Sequence, residues 1–300
     1  MTSIVPPGAL AYGMQLPVQA QSELFVADWE RTSGPDELVA IAQKADETGF
    51  FYVAVCDHVA IPDALAPKMG TTWYDTIATL GFLASATTRV RLLSHVWVPA
   101  YRHWRQTVKS FTTLDHLSKG RAVLGVGAGH VEAEFGELGV DFAARGRLLD
   151  EAIARVRAGL DSEFVDGFGA KPRPSQARVP IWVGGSSPAA VRRAARLGDG
   201  WLPQGTPKDQ MPASIELLRS ARESAGRGDD PIDIGTIHMD FISLGPSGTQ
   251  KADEVAEALL AFRDMGVNHV QIRFRAASLD ELLDQMDRFG AEVAPSLSAG

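Results

Sequence analysis

Eight short apolar or β-branched runs, helical patterns between them and long loops after several runs predict an α/β chain folded as a single (β/α)8 TIM barrel with short insertions. A length of 300 residues suits one such barrel better than two domains. The alternative arrangement of the same units is a doubly wound open sheet. Flexible ends are expected at about 1–9 and 294–300.

The strands are expected at 10–16 (LAYGMQL), 51–55 (FYVAV), 90–98 (VRLLSHVWV), 121–127 (RAVLGVG), 180–184 (PIWVG), 200–204 (GWLPQ), 232–244 (IDIGTIHMDFISL) and 269–274 (HVQIRF). A first helix should begin near Ser33, whose hydroxyl can cap free amides while Pro35 presets the first turn. It carries Leu38, Ile41, Ala42 and Ala45 on one face and stops at Gly49. Comparable apolar faces follow later strands: Ile77, Leu80 and Ala84; Val108, Phe111 and Leu114; Leu148, Leu149, Ala152 and Val156; Val255, Leu259 and Phe262; Leu279, Leu282, Leu283 and Met286. Loops 57–73, 128–146 and 204–212 all follow strands, and in a barrel such loops build the active face. The Gly/Pro-rich stretch 163–180 reads as a surface insertion.

Composition narrows the function. A net charge of -8 and a pI near 5.4 give no basic face for nucleic acid or an anionic membrane. The single Cys56 rules out an internal disulfide, and the opening MTSIVPPGAL has neither a charged start nor a long apolar segment. A cytoplasmic protein acting on a small molecule is expected.

One motif carries chemistry. In IWVGGSSP, Gly184 and Gly185 end a strand, Ser187 is placed to cap, and Pro188 opens a helix with Ala190, Val191, Ala194 and Ala195 inward. Glycines let the backbone approach a ligand closely, and free amides at a helix start attract an anion, so this turn is a candidate phosphate seat. His58, His95 and His130 fall at C-terminal strand ends with Asp57 beside them. Imidazoles there can serve as general acids, or the group can bind zinc as in a metal-dependent barrel hydrolase. No closely spaced His-x-His pair is present, and a metal site leaves the glycine turn without a role. A barrel that binds a flavin without turnover is a further alternative. Cys56 reads as a lining residue, Trp73, Trp97 and Trp104 as candidates for an apolar pocket wall, and Glu134 as a charge that favours a helix start.

The stretches FYVAVCDHVAIP, RLLSHVWVP, RAVLGVGAGHVEAEFGELG and PIWVGGSSPAAVRRAARLGDGWLP, in this order over about residues 10–275, resemble the luciferase-like monooxygenase superfamily, most closely its branch that uses the deazaflavin coenzyme F420. The resemblance implies an oxidoreductase that passes a hydride between reduced coenzyme F420 and a small organic substrate, with FMN as the alternative cofactor, and a homodimer. It implies a coenzyme site of Asp57, Ser94, His95, Val96, Gly127, Gly184, Gly185, Ser186 and Gln204, no metal, and His58 as a catalytic residue near the hydride-transfer centre; the expected place of His130 at the barrel mouth makes it the second catalytic candidate. It also implies a non-proline cis peptide between His95 and Val96. The coenzyme's acidic tail would meet Lys68, Arg102, Arg105 and Lys208. A sugar-phosphate dehydrogenase of the branch has a glutamate where this chain has His130 and a tryptophan where it has Pro62, which speaks against a sugar-phosphate substrate.

Overall fold

The computed structural model describes residues 3–245 and 248–298. Eight parallel strands close into a barrel: β1 (Ala11–Gln15), β2 (Tyr52–Val55), β3 (Arg91–Ser94), β4 (Ala122–Val126), β5 (Ile181–Gly184), β6 (Gly200–Leu202), β7 (Asp233–Ile237) and β8 (His269–Gln271). Each pairs with its neighbours in sequence, and β1 closes on β8 through Ala11 opposite His269. One long helix follows each strand: α1 (Pro35–Glu47), α2 (Thr76–Ala86), α3 (Trp104–Leu117), α4 (Arg145–Asp161), α5 (Pro188–Leu197), α6 (Met211–Ser224), α7 (Ala252–Arg263) and α8 (Leu279–Arg288); shorter helices over Ala66–Met69, Glu132–Glu137 and Ala294–Ser298 lie in the connections and at the end. The closed ring excludes the open sheet. Among the described residues, no helix is long and apolar enough to cross a membrane.

The apolar positions read from the sequence form the layer between strands and helices. Leu38, Ile41, Leu80, Phe111, Leu149, Leu259 and Met286 are all buried there. A second, smaller core of Tyr52, Ala54, Leu93, Val123, Trp182 and Leu202 fills the barrel interior. Large rings fit because small residues face them: a Cβ on Gly200 would lie 2.2 Å from the Trp182 ring, and one on Gly235 would lie 2.3 Å from His269. Trp182 and His269 stack at 4.3 Å between centroids.

Several ladders stop earlier than the apolar runs. The run 200–204 ends pairing at Leu202, because Pro203 has no amide to donate. The run 90–98 leaves the ladder after Ser94. The peptide between His95 and Val96 is cis, as the resemblance implies, and pairing returns only at Trp97, opposite Val126. The run 232–244 keeps its ladder to Ile237 and rejoins at Ile242, opposite Phe274. The stretch 163–180 carries a small antiparallel hairpin, Phe164–Val165 with Phe168–Gly169.

The α1 start differs from the expectation. Gly34 is the N-cap, its amide donating to Glu37 at 2.7 Å, while the Ser33 hydroxyl turns back to the Trp29 carbonyl at 2.8 Å. A short helix over Asp28–Thr32 puts that carbonyl within reach. Of the ends expected to be flexible, Val5 and Leu297 are buried, and Asp233 accepts hydrogen bonds from Ser3, Ile4 and Val5 that seat the first segment on the barrel floor. Residues 1, 2, 299 and 300 lie outside the described residues.

Candidate functional site

A cavity of about 1040 Å³ opens where the strands end at their C-termini. His58, His95, His130, Asp57, Val96, Gly127, Gly184, Gly185 and Gln204 line it, whereas Ser94 and Ser186 do not. The Ser94 hydroxyl donates to the Gly125 carbonyl at 2.8 Å, which holds β3 to β4 beside the cis peptide. Ser186 ties two turns together, donating to the Gln204 carbonyl at 2.8 Å and accepting from its amide at 2.9 Å.

Val96 explains two of the glycines. A Cβ on Gly127 would stand 2.3 Å from Val96 Cγ2, and one on Gly184 would stand 2.8 Å from Val96 Cγ1. These glycines therefore receive the Val96 side chain, and the backbone wall they share with it faces the cavity. Gly185 is different: its φ of +114° suits glycine, and a Cβ there would lie 2.9 Å from Ala190 Cβ. Its carbonyl accepts from Trp201 Nε1 at 2.8 Å, which fixes the turn, and the Ser187 hydroxyl caps α5 by accepting from Ala190 N at 3.2 Å. The amides of Ser186 and Ser187 have no hydrogen-bond partner among the described residues. The turn thus offers free donors at a helix start, which is what an anion requires.

The second half of the site is built around a buried carboxylate. Glu134 accepts from His58 Nδ1 at 3.1 Å, from Tyr101 Oη at 2.8 Å, from Ala60 N at 3.2 Å and from Val59 N. Burial acts to raise its pKa, but the bonds from His58, Val59 and Tyr101 outweigh it and hold the group down to about 2. Glu134 therefore does more than favour a helix start. It fixes the loop after β2 and orients His58, accepting a hydrogen bond from Nδ1–H and leaving Nε2 toward the cavity. The His58 ring packs against Trp73 at 4.5 Å and His130 at 5.6 Å. Surrounding protein lowers the His130 pKa, and His58 adds to this against the pull of Glu134.

Asp57 is a support for the wall. Both its oxygens engage the Arg102 guanidinium, at 2.7 and 2.9 Å, and it accepts from Val98 N at 2.8 Å. Arg102 lies over the Trp97 ring at 3.6 Å. Arg102 is thus committed to Asp57 and is not the free cation expected at the mouth. Arg105 is also elsewhere, bonded to the Val165 carbonyl and stacked on Trp104. Lys208 sits over Phe262, outside the cavity lining, while Lys68 lines it. Of the three tryptophans, only Trp73 lines the cavity.

The sequence reading missed four basic side chains and a loop. Arg145, Arg193, Arg273 and Arg275 line the cavity, as does the segment after β1 through Leu24, Phe25 and Trp29. Arg193 pairs with Asp150, whereas Arg145 is held by the Phe142 carbonyl and ring and forms no carboxylate ion pair among the described residues. Cys56 lines the wall with its thiol pushed up to about 12 by burial, so it is not a thiolate nucleophile.

The histidines do not form one cluster. His95 is buried and held down to about 4, by burial first and then by the Arg273 charge. Among the described residues, no group of three His, Cys, Asp or Glu side chains gathers as a metal site.

Residues 14–265 match the model of the luciferase-like monooxygenase family. An uncharacterised protein of Mycobacterium tuberculosis is 29% identical over 279 residues, covering 85% of this chain and 93% of its own length. A 5,10-methylenetetrahydromethanopterin reductase of Methanolobus tindarius is 26% identical over 228 residues, 74% of this chain and 65% of that protein. Among solved structures, the monooxygenase RslO1 of Streptomyces bottropensis has a TM-score of 0.77 at 21% identity, covering 95% of this chain and 99% of that one. An F420-dependent secondary alcohol dehydrogenase, solved with an F420-acetone adduct, has a TM-score of 0.74 at 17% identity, covering 96% and 99%. With a family match over most of its length and the corresponding closed barrel, the chain belongs to the luciferase-like monooxygenase family.

Proposed function

We propose that this chain is a cytoplasmic oxidoreductase, working as a homodimer, that transfers a hydride between reduced coenzyme F420 and a small organic substrate. One observation carries the reading: a single cavity joins an anion-accepting turn at β5 to an oriented imidazole after β2. The lining fits the coenzyme. The free amides of the turn at Ser186 and Ser187, Arg145 with no carboxylate partner among the described residues, and the backbone wall at Gly127, Gly184 and Gly185 suit a phosphate-bearing cofactor, while Val96 offers an apolar floor for a flat ring.

When bound, the coenzyme supplies the redox chemistry. The chain's own residues then divide the remaining tasks. Glu134 holds His58 by its Nδ1 so that Nε2 faces the cavity, where the ring can pass a proton to the substrate, which makes His58 the acid–base residue of this reading. His130, neutral at pH 7, serves as a hydrogen-bond partner to the substrate. The loop after β1 and Trp73 restrict water at the mouth. The family likeness to an F420-dependent dehydrogenase supports the deazaflavin. A type II Baeyer-Villiger monooxygenase of the same fold, solved in complex with FMN and with a TM-score of 0.75 at 14% identity, supports FMN as the second reading.

The test is single-turnover oxidation of reduced coenzyme F420 in the presence of ketones and activated alkenes, followed by the return of the oxidised chromophore. Acceptor-dependent oxidation in the wild type, slowed at least tenfold in His58→Ala, is expected. Oxygen-dependent turnover with reduced FMN alone overturns the reading.

A further inference from the structure

Arg273 is a cation inside the cavity with no opposite charge beside it. Its Nη2 donates to Gln15 Oε1 at 3.3 Å, and the guanidinium lies over the Phe25 ring at 4.3 Å. Gln15 in turn donates to Cys56 Sγ at 3.0 Å, a thiol that stays neutral. The other titratable neighbour, His95, is also neutral at pH 7. The two carboxylates that line the cavity are engaged elsewhere: Asp57 with Arg102, and Glu30 with the amides of Val18 and Ala27. Among the described residues, Arg273 makes no ion pair, although burial lowers its pKa. A partly buried guanidinium that folding leaves without a counter-ion is an arrangement that function has to account for.

Its position separates it from the phosphate turn. Arg273 follows β8, which stands three places from β5 in the ring of strands and is paired to β1. The coenzyme's anionic part belongs to the β5 side, so the charge at Arg273 faces the remaining space, on the wall that also carries Cys56, Asp57 and His58. Phe25, Trp29, Trp73 and Phe274 make this side apolar and aromatic. A single planar fork with one edge committed to Gln15 matches a carboxylate, which takes two parallel N–H donors. Arg275 also lines the cavity but is exposed and lies over the Phe241 ring at 5.3 Å, whereas the Arg273 fork is partly buried against the aromatic wall, where it can pair with one planar anion.

We propose that Arg273 anchors the carboxylate of an organic acid with an apolar or aromatic body, and so defines the substrate class of this site. The term substrate rests on the hydride-transfer reading above, but the anchor itself is a binding site that can be measured without turnover.

The test uses fluorine NMR titration of the full chain with para-trifluoromethylbenzoate and its uncharged amide. The acid should bind the wild type at least about tenfold more tightly than the amide, since a charge-assisted pair is at stake. Arg273→Gln should abolish that preference, and Arg273→Lys, which keeps the charge and loses the fork, should retain only part of it. Coenzyme affinity should stay within about twofold in both variants. Equal affinity for acid and amide in the wild type, including no measurable binding of either, overturns the proposal. So does an acid preference that survives in Arg273→Gln, or a coenzyme affinity that collapses in that variant while the preference persists. If the wild type shows the acid preference but binds no deazaflavin, the anchor stands and the proposed coenzyme fails.

Discussion

Replacing Glu134 with glutamine tests whether a buried carboxylate organises the catalytic half of the cavity. The side chain accepts from Val59 N, Ala60 N, His58 Nδ1 and Tyr101 Oη. Glutamine keeps one acceptor oxygen for the two amides of the loop but turns an NH2 group toward His58 and Tyr101. Two charge-assisted hydrogen bonds are lost, at about 1.5–3 kcal/mol each, and part is regained if His58 changes tautomer and the tyrosine hydroxyl rotates. Proton linkage gives a second estimate. The carboxyl moves from 4.5 when unfolded to about 2 when folded, which corresponds to about 3 kcal/mol. Because the folded value is depressed, this stability is present above pH 4.5 and is lost as the pH falls toward 2. Both routes predict a loss of about 3 kcal/mol at pH 7 in urea unfolding, with the gap between the proteins narrowing below pH 4.5. Nitrogen NMR should show the His58 proton on Nδ1 in the wild type and on Nε2 in Glu134→Gln. A loss under about 1 kcal/mol with an unchanged tautomer would refute the role assigned to Glu134.

Four further outcomes follow from the geometry. His95 and His269 have folded pKa values of about 4 and about 3, both below 6.5, with burial the first cause. The unfolded chain therefore takes up protons first, so stability is full above pH 6.5 and should fall by several kcal/mol as the pH drops toward 4, at roughly 1.4 kcal/mol per histidine for each pH unit below 6.5. A pH series of thermal melts that stays flat from 6.5 to 4 would contradict this. Gly127→Ala, with its Cβ 2.3 Å from Val96, should cost about 1–3 kcal/mol by overpacking, measured by urea unfolding. From the sequence alone, a bulky residue at Gly185 would be expected to weaken coenzyme binding with the fold intact. The positive φ changes that expectation, and Gly185→Val should also lose about 1–3 kcal/mol of stability. Arg145→Gln makes the cleaner binding variant: coenzyme affinity should fall roughly tenfold by calorimetry at an unchanged melting temperature.

The fold was legible because its signals are local. Alternation of apolar runs with helical faces locates every barrel strand, and the Ser187-Pro188 pair marks the start of α5 where the structure has it. Strand ends were harder to read, since Pro203 and the turn at His95 stop pairing inside runs that stay apolar. The site was half legible. Residues just after strands could be placed at the mouth, but which of them use their polar atoms on one another depends on distant partners. Asp57 and Arg102 are 45 residues apart, and His58 and Glu134 are 76 apart. One signal was present and unread. In HVQIRF, His269, Gln271 and Arg273 alternate with Val270 and Ile272, and a period of two sends the polar set to one face of the strand, here the barrel interior.

Whether the cavity holds a deazaflavin is decided by direct titration of the purified chain with coenzyme F420 and with FMN. Micromolar binding of coenzyme F420, weakened in Arg145→Gln, with FMN bound at least about tenfold more weakly, is the predicted result. Micromolar binding of FMN without binding of coenzyme F420 would contradict the proposed function.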